Sequence, residues 1–209
     1  MNALDLKNTF PLLTEKELLE EIAEHGIEKT FESGEDLIRK GQYIKYMPLV
    51  LDGLIKVMRE DGDGSEMLLY FLEGGNTCAM SIICCMRAET SNIWATVEEK
   101  ATVLLIPVKQ SEIWMKKYSS WRNYVISSYS NRMEELLKTI DAIAFYSLDE
   151  RLHQYLKERS RVSNTKVFSI THQEIARELN SSREAISRLL KKLENMKKVK
   201  LSRNKIELL

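Results

Sequence analysis

The apolar positions of this chain do not keep one period. Over residues 12–24 they recur at helical spacing, with Leu18, Leu19, Ile22 and Ala23 on one face. Thr14 with Glu17 three residues on predicts a capping box, and Gly26 predicts the end of that helix. From about Ile27 to Val108 the apolar runs shorten, and glycines punctuate them at Gly34, Gly41, Gly53, Gly62, Gly64, Gly74 and Gly75. Runs at 47–51, 54–58, 67–72, 94–97 and 102–106 predict the short strands of an antiparallel sandwich, roll or barrel. Asp61-Gly62-Asp63-Gly64 predicts a hairpin turn between Val57 and Met67.

Helical spacing returns over 111–145, with a break expected near Ser119-Ser120. Ile126, Tyr129, Met133, Leu136, Ile140 and Ile143 follow one another at intervals of 3, 4, 3, 4 and 3 residues, which is a heptad seam. The flanking positions are largely polar. So narrow a stripe predicts a partner helix, here a second copy of the chain in a parallel coiled coil. Ser147 predicts the cap of a new helix, Ser163-Asn164 a turn, and 166–170 a strand.

The stretch from Thr171 to Glu194 carries the most information. Thr171-x-x-Glu174 is a capping box, followed by an inner face of Ile175, Ala176 and Leu179. Asn180 supplies a residue that tolerates the left-handed conformation of a tight turn. Ser181 or Ser182 caps a second helix, whose apolar stripe is Ile186, Leu189, Leu190 and Leu193. This is a helix-turn-helix, and its second helix turns Arg183, Glu184, Ser187 and Arg188 outward on the first turns, the part that meets base edges in a major groove. Arg suits guanine O6 and N7, and Glu suits cytosine N4. Thr171, Gln173, Ser182 and Lys191 are placed to hold phosphates. Two short runs downstream, 199–201 and 205–208, predict a wing whose Lys198, Lys200 and Arg203 add salt-dependent backbone affinity.

Net charge is zero, which taken alone argues against a nucleic-acid partner. Its distribution reverses that inference. Residues 147–209 hold 15 Lys and Arg against 8 Asp and Glu, while residues 1–146 hold 16 against 23. There is no basic segment followed by an apolar one at the start, and the apolar run at 67–72 is too short to cross a bilayer. A cytoplasmic protein with no membrane partner is expected. Cys78, Cys84 and Cys85 do not predict a disulfide framework. No nucleophile–base pair, metal-ligand spacing or phosphate loop points to an enzyme.

In these residues the chain resembles the Crp/Fnr family of bacterial transcription regulators, most specifically in Gln173-Glu-Ile-Ala and Ser182-Arg-Glu-x-x-Ser-Arg188. The resemblance implies an α+β fold. An N-terminal antiparallel β-roll of the cyclic-nucleotide-binding type would occupy 1–110, a long dimerisation helix 111–146 and a C-terminal winged helix-turn-helix 147–209. It also implies a homodimer on a near-palindromic double-stranded operator, acting with RNA polymerase.

The sensor departs from the pattern. Members that bind cyclic AMP carry a Glu where this chain has Met80 and an Arg where it has Ser91, in the stretches Gly75–Ile82 and Ser91-Asn92. A cyclic nucleotide phosphate needs a cationic partner or a donor-rich nest. No tight cyclic AMP binding is expected. No cysteine precedes Cys78, and three cysteines fall one short of four ligands, so no iron–sulfur cluster is expected either. Cys78, Met80, Ser81, Cys84, Cys85, Ser91 and Asn92 mark the family's effector region. They read either as a thiol or haem-ligating sensor, with His25, His153 and His172 as the available histidines, or as an apolar pocket or plain core. The competing function is a ligand- or redox-binding protein whose helix-turn-helix makes protein contacts. The basic wing argues against it.

Overall fold

The computed structural model describes residues 3–60, 66–78, 81, 90–202 and 205–209, leaving aside the side chains of residues 3, 138 and 141–145. The chain divides into two compact units, one formed by Met1–Val57 with Tyr70–Leu136, the other by Met58–Leu69 with Leu137–Leu209. The first contains α1 (Ala3–Thr9), α2 (Lys16–His25), β1 (Ile27–Phe31), β2 (Asp36–Ile38), β5 (Ile93–Pro107) and most of β3 (Tyr46–Glu60). It also takes the end of β4 (Glu66–Leu72). The strands form one sheet in the order β1-β5-β3-β4, with β2 also pairing β5. Both β1 and β2 run antiparallel to β5, Ile27 opposite Leu105 and Asp36 opposite Thr96.

Two of these strands are longer than the apolar runs predict. The runs at 47–51 and 54–58 are a single strand, β3, because Asp52-Gly53 does not turn the chain. Gly53 adopts φ +93° within the strand, and a Cβ there would lie 2.3 Å from the carbonyl oxygen of Lys100. The runs at 94–97 and 102–106 are likewise one strand, β5. Its polar centre stays extended and half-buried Glu98 pairs with half-buried Lys56 at 3.1 Å. Strands β1 and β2 and helix α1, which the sequence pattern did not single out, also belong to this unit.

The first unit's core is built from Leu6, Phe10, Leu13, Leu18, Ile22, Met47, Leu49, Leu104, Ile106, Trp114, Trp121 and Tyr124. Trp114 and Trp121 meet edge to face at 5.0 Å. They come from α3 (Val108–Lys117) and α4 (Ser119–Phe145), which Tyr118 separates by turning extended and returning its N–H to the Trp114 carbonyl. The expected break near Ser119-Ser120 is therefore present. The expected cap at Thr14 is not, since Glu15 is the N-cap of α2 and its side chain leaves its own helix uncapped. That carboxylate caps α4 instead, accepting the backbone N–H of Ser119 at 3.0 Å and of Ser120 at 2.9 Å, along with both hydroxyls. An anion at the positive end of a 27-residue helix is favourably placed. Hydrogen bonding from Ser120, then from Ser119, holds this carboxyl below the usual carboxylate range.

Glu21 gathers a second set of donors from α3 and the residue that ends it, the Lys117 ammonium, the Tyr118 hydroxyl at 2.8 Å and the Trp114 indole at 2.6 Å. Lys117, then Tyr118 and Trp114, bring its pKa down to about 2. A carboxyl depressed in the fold stabilises it fully above about pH 4.5, and that contribution is lost as pH falls towards 2. All three tryptophans, Trp94, Trp114 and Trp121, lie in this unit, so their fluorescence reads it selectively. Urea unfolding followed by tryptophan emission should lose stability steeply between pH 5 and pH 2 in the native chain. Glu21→Gln should start less stable at neutral pH and show a shallower loss. Parallel pH profiles would remove Glu21 from the account of acid stability.

The second unit holds α5 (Leu148–Val162), β6 (Val167–Phe168), α6 (His172–Glu178), α7 (Arg183–Asn195), β7 (Val199–Ser202) and β8 (Lys205–Leu208). Its core comprises Leu152, Leu156, Phe168, Ile170, Ile175, Ala176, Ile186, Leu190, Leu193, Val199 and Ile206. Leu68, from the first half of β4, packs on it, and Met67 forms a backbone bridge with Leu179. Ser147 caps α5 in a complete capping box with Glu150. Strands β6, β8 and β7 form an antiparallel sheet in that order. The predicted hairpin between Val57 and Met67 is the β3–β4 pair, and its tip at 61–65 lies outside the described residues.

Candidate nucleic-acid interface

Local chemistry sets the helix-turn-helix. Thr171 accepts the Glu174 N–H at 3.2 Å, and the Glu174 carboxylate takes back the Thr171 N–H at 2.7 Å, closing the capping box of α6. Asn180 adopts φ +48°, the left-handed turn its side chain tolerates. Ser182 then caps α7, accepting the Ala185 N–H at 3.2 Å. Ile175, Ala176, Ile186 and Leu190 are fully buried where the two helices cross. This fixes the opposite face of α7 towards solvent.

On that face Arg183, Glu184 and Arg188 are exposed within the first two turns. Among the described residues no ion pair holds either arginine. Ser187 is half-buried, and its Oγ lies 2.8 Å from His172 Nδ1. His172 is thus part of this surface rather than an ordinary exposed position of α6. Burial first, and the Arg183 charge second, hold its imidazole below the usual histidine range. Both effects favour the uncharged ring.

The phosphate candidates separate into groups. Gln173, Lys198 and Lys200 are exposed. Lys191 is exposed but paired with Glu194 at 2.6 Å. The hydroxyls of Thr171 and Ser182 serve their caps, and Thr171 also donates to Glu174. Arg203 lies outside the described residues. The wing itself is the β7–β8 pair, Val199 opposite Leu208 and Ser202 opposite Lys205.

Along α4 the seam is uneven. Ile126, Met133 and Ile140 are 58–60% exposed, large apolar groups facing water at heptad spacing, and Leu136 with its neighbour Leu137 is also exposed. Tyr129 differs, being half-buried against the core of the first unit. The Ile143 side chain is not among those described.

In the effector region Cys78 is fully buried, its thiol 3.8 Å from the Tyr70 hydroxyl. Ser81 and Ser91 are buried too, and Ser91 Oγ donates to the Ile93 carbonyl at 2.8 Å. Asn92 is exposed and does not join them, while Met80, Cys84 and Cys85 fall outside the described residues. The structure adds a group that spacing could not reveal. Arg132 of α4, largely buried, stacks its guanidinium 4.2 Å over the Tyr70 ring and donates to Asn76 Oδ1 at 3.1 Å. It also pairs with Glu135. Arginine satisfied on its face and both edges is a fixed strut from helix to sheet. Of the three histidines, His25 is exposed at the end of α2, and His153 is half-buried on α5 with Nδ1 sheltered and unpartnered. Burial, then Lys157 and Lys198, lowers the His153 pKa.

Residues 150–209 match the model of the Crp-like helix-turn-helix domain, and residues 28–118 match that of the cyclic nucleotide-binding domain. The cAMP-activated global transcriptional regulator CRP of Pasteurella multocida is 21% identical over 171 residues, 79% of this chain and 81% of that protein. Among solved structures, a transcriptional regulator of the Crp/Fnr family from Eubacterium rectale is 28% identical. It superimposes with a TM-score of 0.84 over 97% of this chain and 94% of its own. The c-di-GMP responsive global regulator CLP of Xanthomonas campestris, 17% identical, shares the fold with a TM-score of 0.80 over 93% and 99%.

Proposed function

The chain belongs to the Crp/Fnr family of transcription regulators, and from that premise we propose that it binds a near-palindromic operator as a homodimer inside the cell and acts on transcription with RNA polymerase. Arg183, Glu184, Ser187 and Arg188 read base edges. Gln173, Ser182, Lys191, Lys198 and Lys200 hold phosphates, as does Thr171 once its hydroxyl leaves Glu174. The observation that carries this reading is the exposure of Arg183, Glu184 and Arg188 on the first turns of a doubly capped α7, beside a basic wing.

The exposed Ile126, Met133, Leu136 and Ile140 support a second copy as the partner of α4. Tyr129 contributes less than its heptad position implies, since it already packs inside its own unit. Two recognition helices would then address half-sites about 34 Å apart. An effector at the β-roll that favours one conformation would shift the population towards it, and α4 would carry that shift to the helix spacing.

Cyclic AMP is not that effector in this reading. Its phosphate would need a cation, and the Arg132 guanidinium is already engaged by Tyr70, Asn76 and Glu135. Neither a haem nor an iron–sulfur cluster enters the proposal. Burial of Cys78 favours a small uncharged or apolar effector over a thiol sensor.

A gel-shift titration across salt tests the reading. Affinity for a palindromic fragment should fall steeply and linearly on a log–log plot as salt rises. A single half-site should bind far more weakly, and millimolar cyclic AMP should leave the curve in place. A flat salt response would point to a helix-turn-helix that contacts protein.

A further inference from the structure

We propose that His172 is a specificity-determining residue for DNA: its hydrogen bond to Ser187 fixes whether that hydroxyl offers the base edge an acceptor or a donor. This rests on the reading that the first turns of α7 enter the major groove.

The geometry is closely constrained. His172 is the first residue of α6, directly after Thr171, whose capping box pins the chain. Its ring is half-buried, with Nδ1 2.8 Å from Ser187 Oγ. Ser187 stands four residues after Arg183 and three after Glu184, so the three share one face of α7. A serine hydroxyl has one hydrogen and two lone pairs and rotates freely, which is why serine alone discriminates bases poorly. The imidazole removes that freedom. If Nδ1 carries no proton, Ser187 gives it the hydroxyl hydrogen and only lone pairs remain for the groove. If Nδ1 carries one, Ser187 accepts it and keeps its own hydrogen to donate.

The surroundings select the first arrangement. Burial and Arg183 keep the ring neutral, so one nitrogen is unprotonated. The Arg183 charge lowers the ring's affinity for a proton, and Arg183 belongs to α7, the helix that carries Ser187 and towards which Nδ1 is turned. A positive charge on that side disfavours a proton on Nδ1 and sends it to Nε2. Ser187 is thereby an acceptor, matched to adenine N6 or cytosine N4, which donate in the major groove. Guanine and thymine offer O6 or O4 acceptors at that place and are disfavoured.

The test is a binding panel at pH 7.5. Operators with each half-site base pair replaced in turn are titrated with the native chain, His172→Ala, His172→Phe, Ser187→Ala and Arg188→Ala. The phenylalanine variant keeps the ring's bulk, and retention of the Arg188-dependent base preference shows that each variant folds. The native chain should favour A or C over G or T at one base pair by about tenfold. Ser187→Ala should abolish that preference, and both His172 variants should reduce it to under about twofold while leaving the other base pairs unchanged. Equal losses on every operator from the His172 variants, with that preference intact, would make His172 a phosphate or packing residue and overturn the proposal. So would a native preference for G or T there. If Ser187→Ala changes no preference but Arg188→Ala does, the proposal falls and the recognition-helix reading stands. If neither changes any, the recognition-helix reading falls with it.

Discussion

Arg188→Ala is expected to weaken binding to the cognate operator by about 1–3 kcal/mol, roughly 5- to 150-fold, and to relax preference at one base pair only. The side chain is exposed on α7, one turn after Glu184, and no ion pair among the described residues competes for it. A guanidinium fork presented to the groove offers two parallel donors, the pattern that guanine O6 and N7 accept. Lysine there would keep the charge and lose the fork, so Arg188→Lys should recover affinity for all DNA but little of the discrimination. Lys198→Ala provides the contrast. That lysine is exposed at the start of the wing, and its loss should lower affinity by a similar factor on every sequence while reducing the salt slope by about one. Competition binding on single-substitution operators measures both. If Arg188→Ala and Lys198→Ala give indistinguishable, sequence-independent losses, Arg188 does not read a base.

The second large effect concerns stability. Glu178, at the end of α6, is buried at 4% exposure and accepts the Tyr155 hydroxyl at 2.7 Å. The Arg159 guanidinium, also buried, lies 3.9 Å from the same carboxylate oxygen and donates to Tyr155 at 3.3 Å. Glu178→Ala removes the countercharge and leaves a buried cation, which costs about 3–5 kcal/mol. Against a typical domain stability of about 5–15 kcal/mol, that is enough to populate the unfolded second unit at 37 °C. The defect should be confined there. Tryptophan emission, which reports only the first unit, should hardly change, while far-ultraviolet circular dichroism should show an early transition. Replacing all three groups together, Tyr155→Phe with Arg159→Met and Glu178→Leu, should restore much of the loss, because no buried charge of the cluster then lacks its countercharge. A single substitution as mild as an ordinary surface change would show that water reaches this cluster.

The sequence disclosed what neighbouring residues decide among themselves. Thr171, Asn180, Ser182 and Ser147 act on backbone within a few residues, and each sits where its chemistry predicts. What escaped depends on partners far along the chain. Thr14 and Glu17 have the spacing of a capping box, yet the carboxylate that caps a helix is Glu15, acting on residues 104 and 105 positions away. Asp52-Gly53 has the composition of a turn, and only the approach of Lys100 shows why glycine is needed in the middle of a strand. Within the candidate interface the exposed arginines follow from the period of α7. The His172–Ser187 bond spans 15 residues and two helices, and no pattern within one helix reports it. Arg132 and Tyr70 are farther apart still along the chain.

The chain enters the second unit at Met58, leaves it after Leu69, and returns at Leu137, so this unit is assembled from two stretches of sequence. A DNA-binding module of this kind cannot be exchanged between regulators by one cut. A chimera joined near residue 137 would inherit the helices and wing without Leu68 and Met67, and would leave exposed the apolar and backbone groups they cover. Recombination that trades operators among such proteins must therefore carry Met67 and Leu68 along, or select a strand whose start suits the newcomer. The start of β4 is, in evolutionary terms, a linked trait of the reading head.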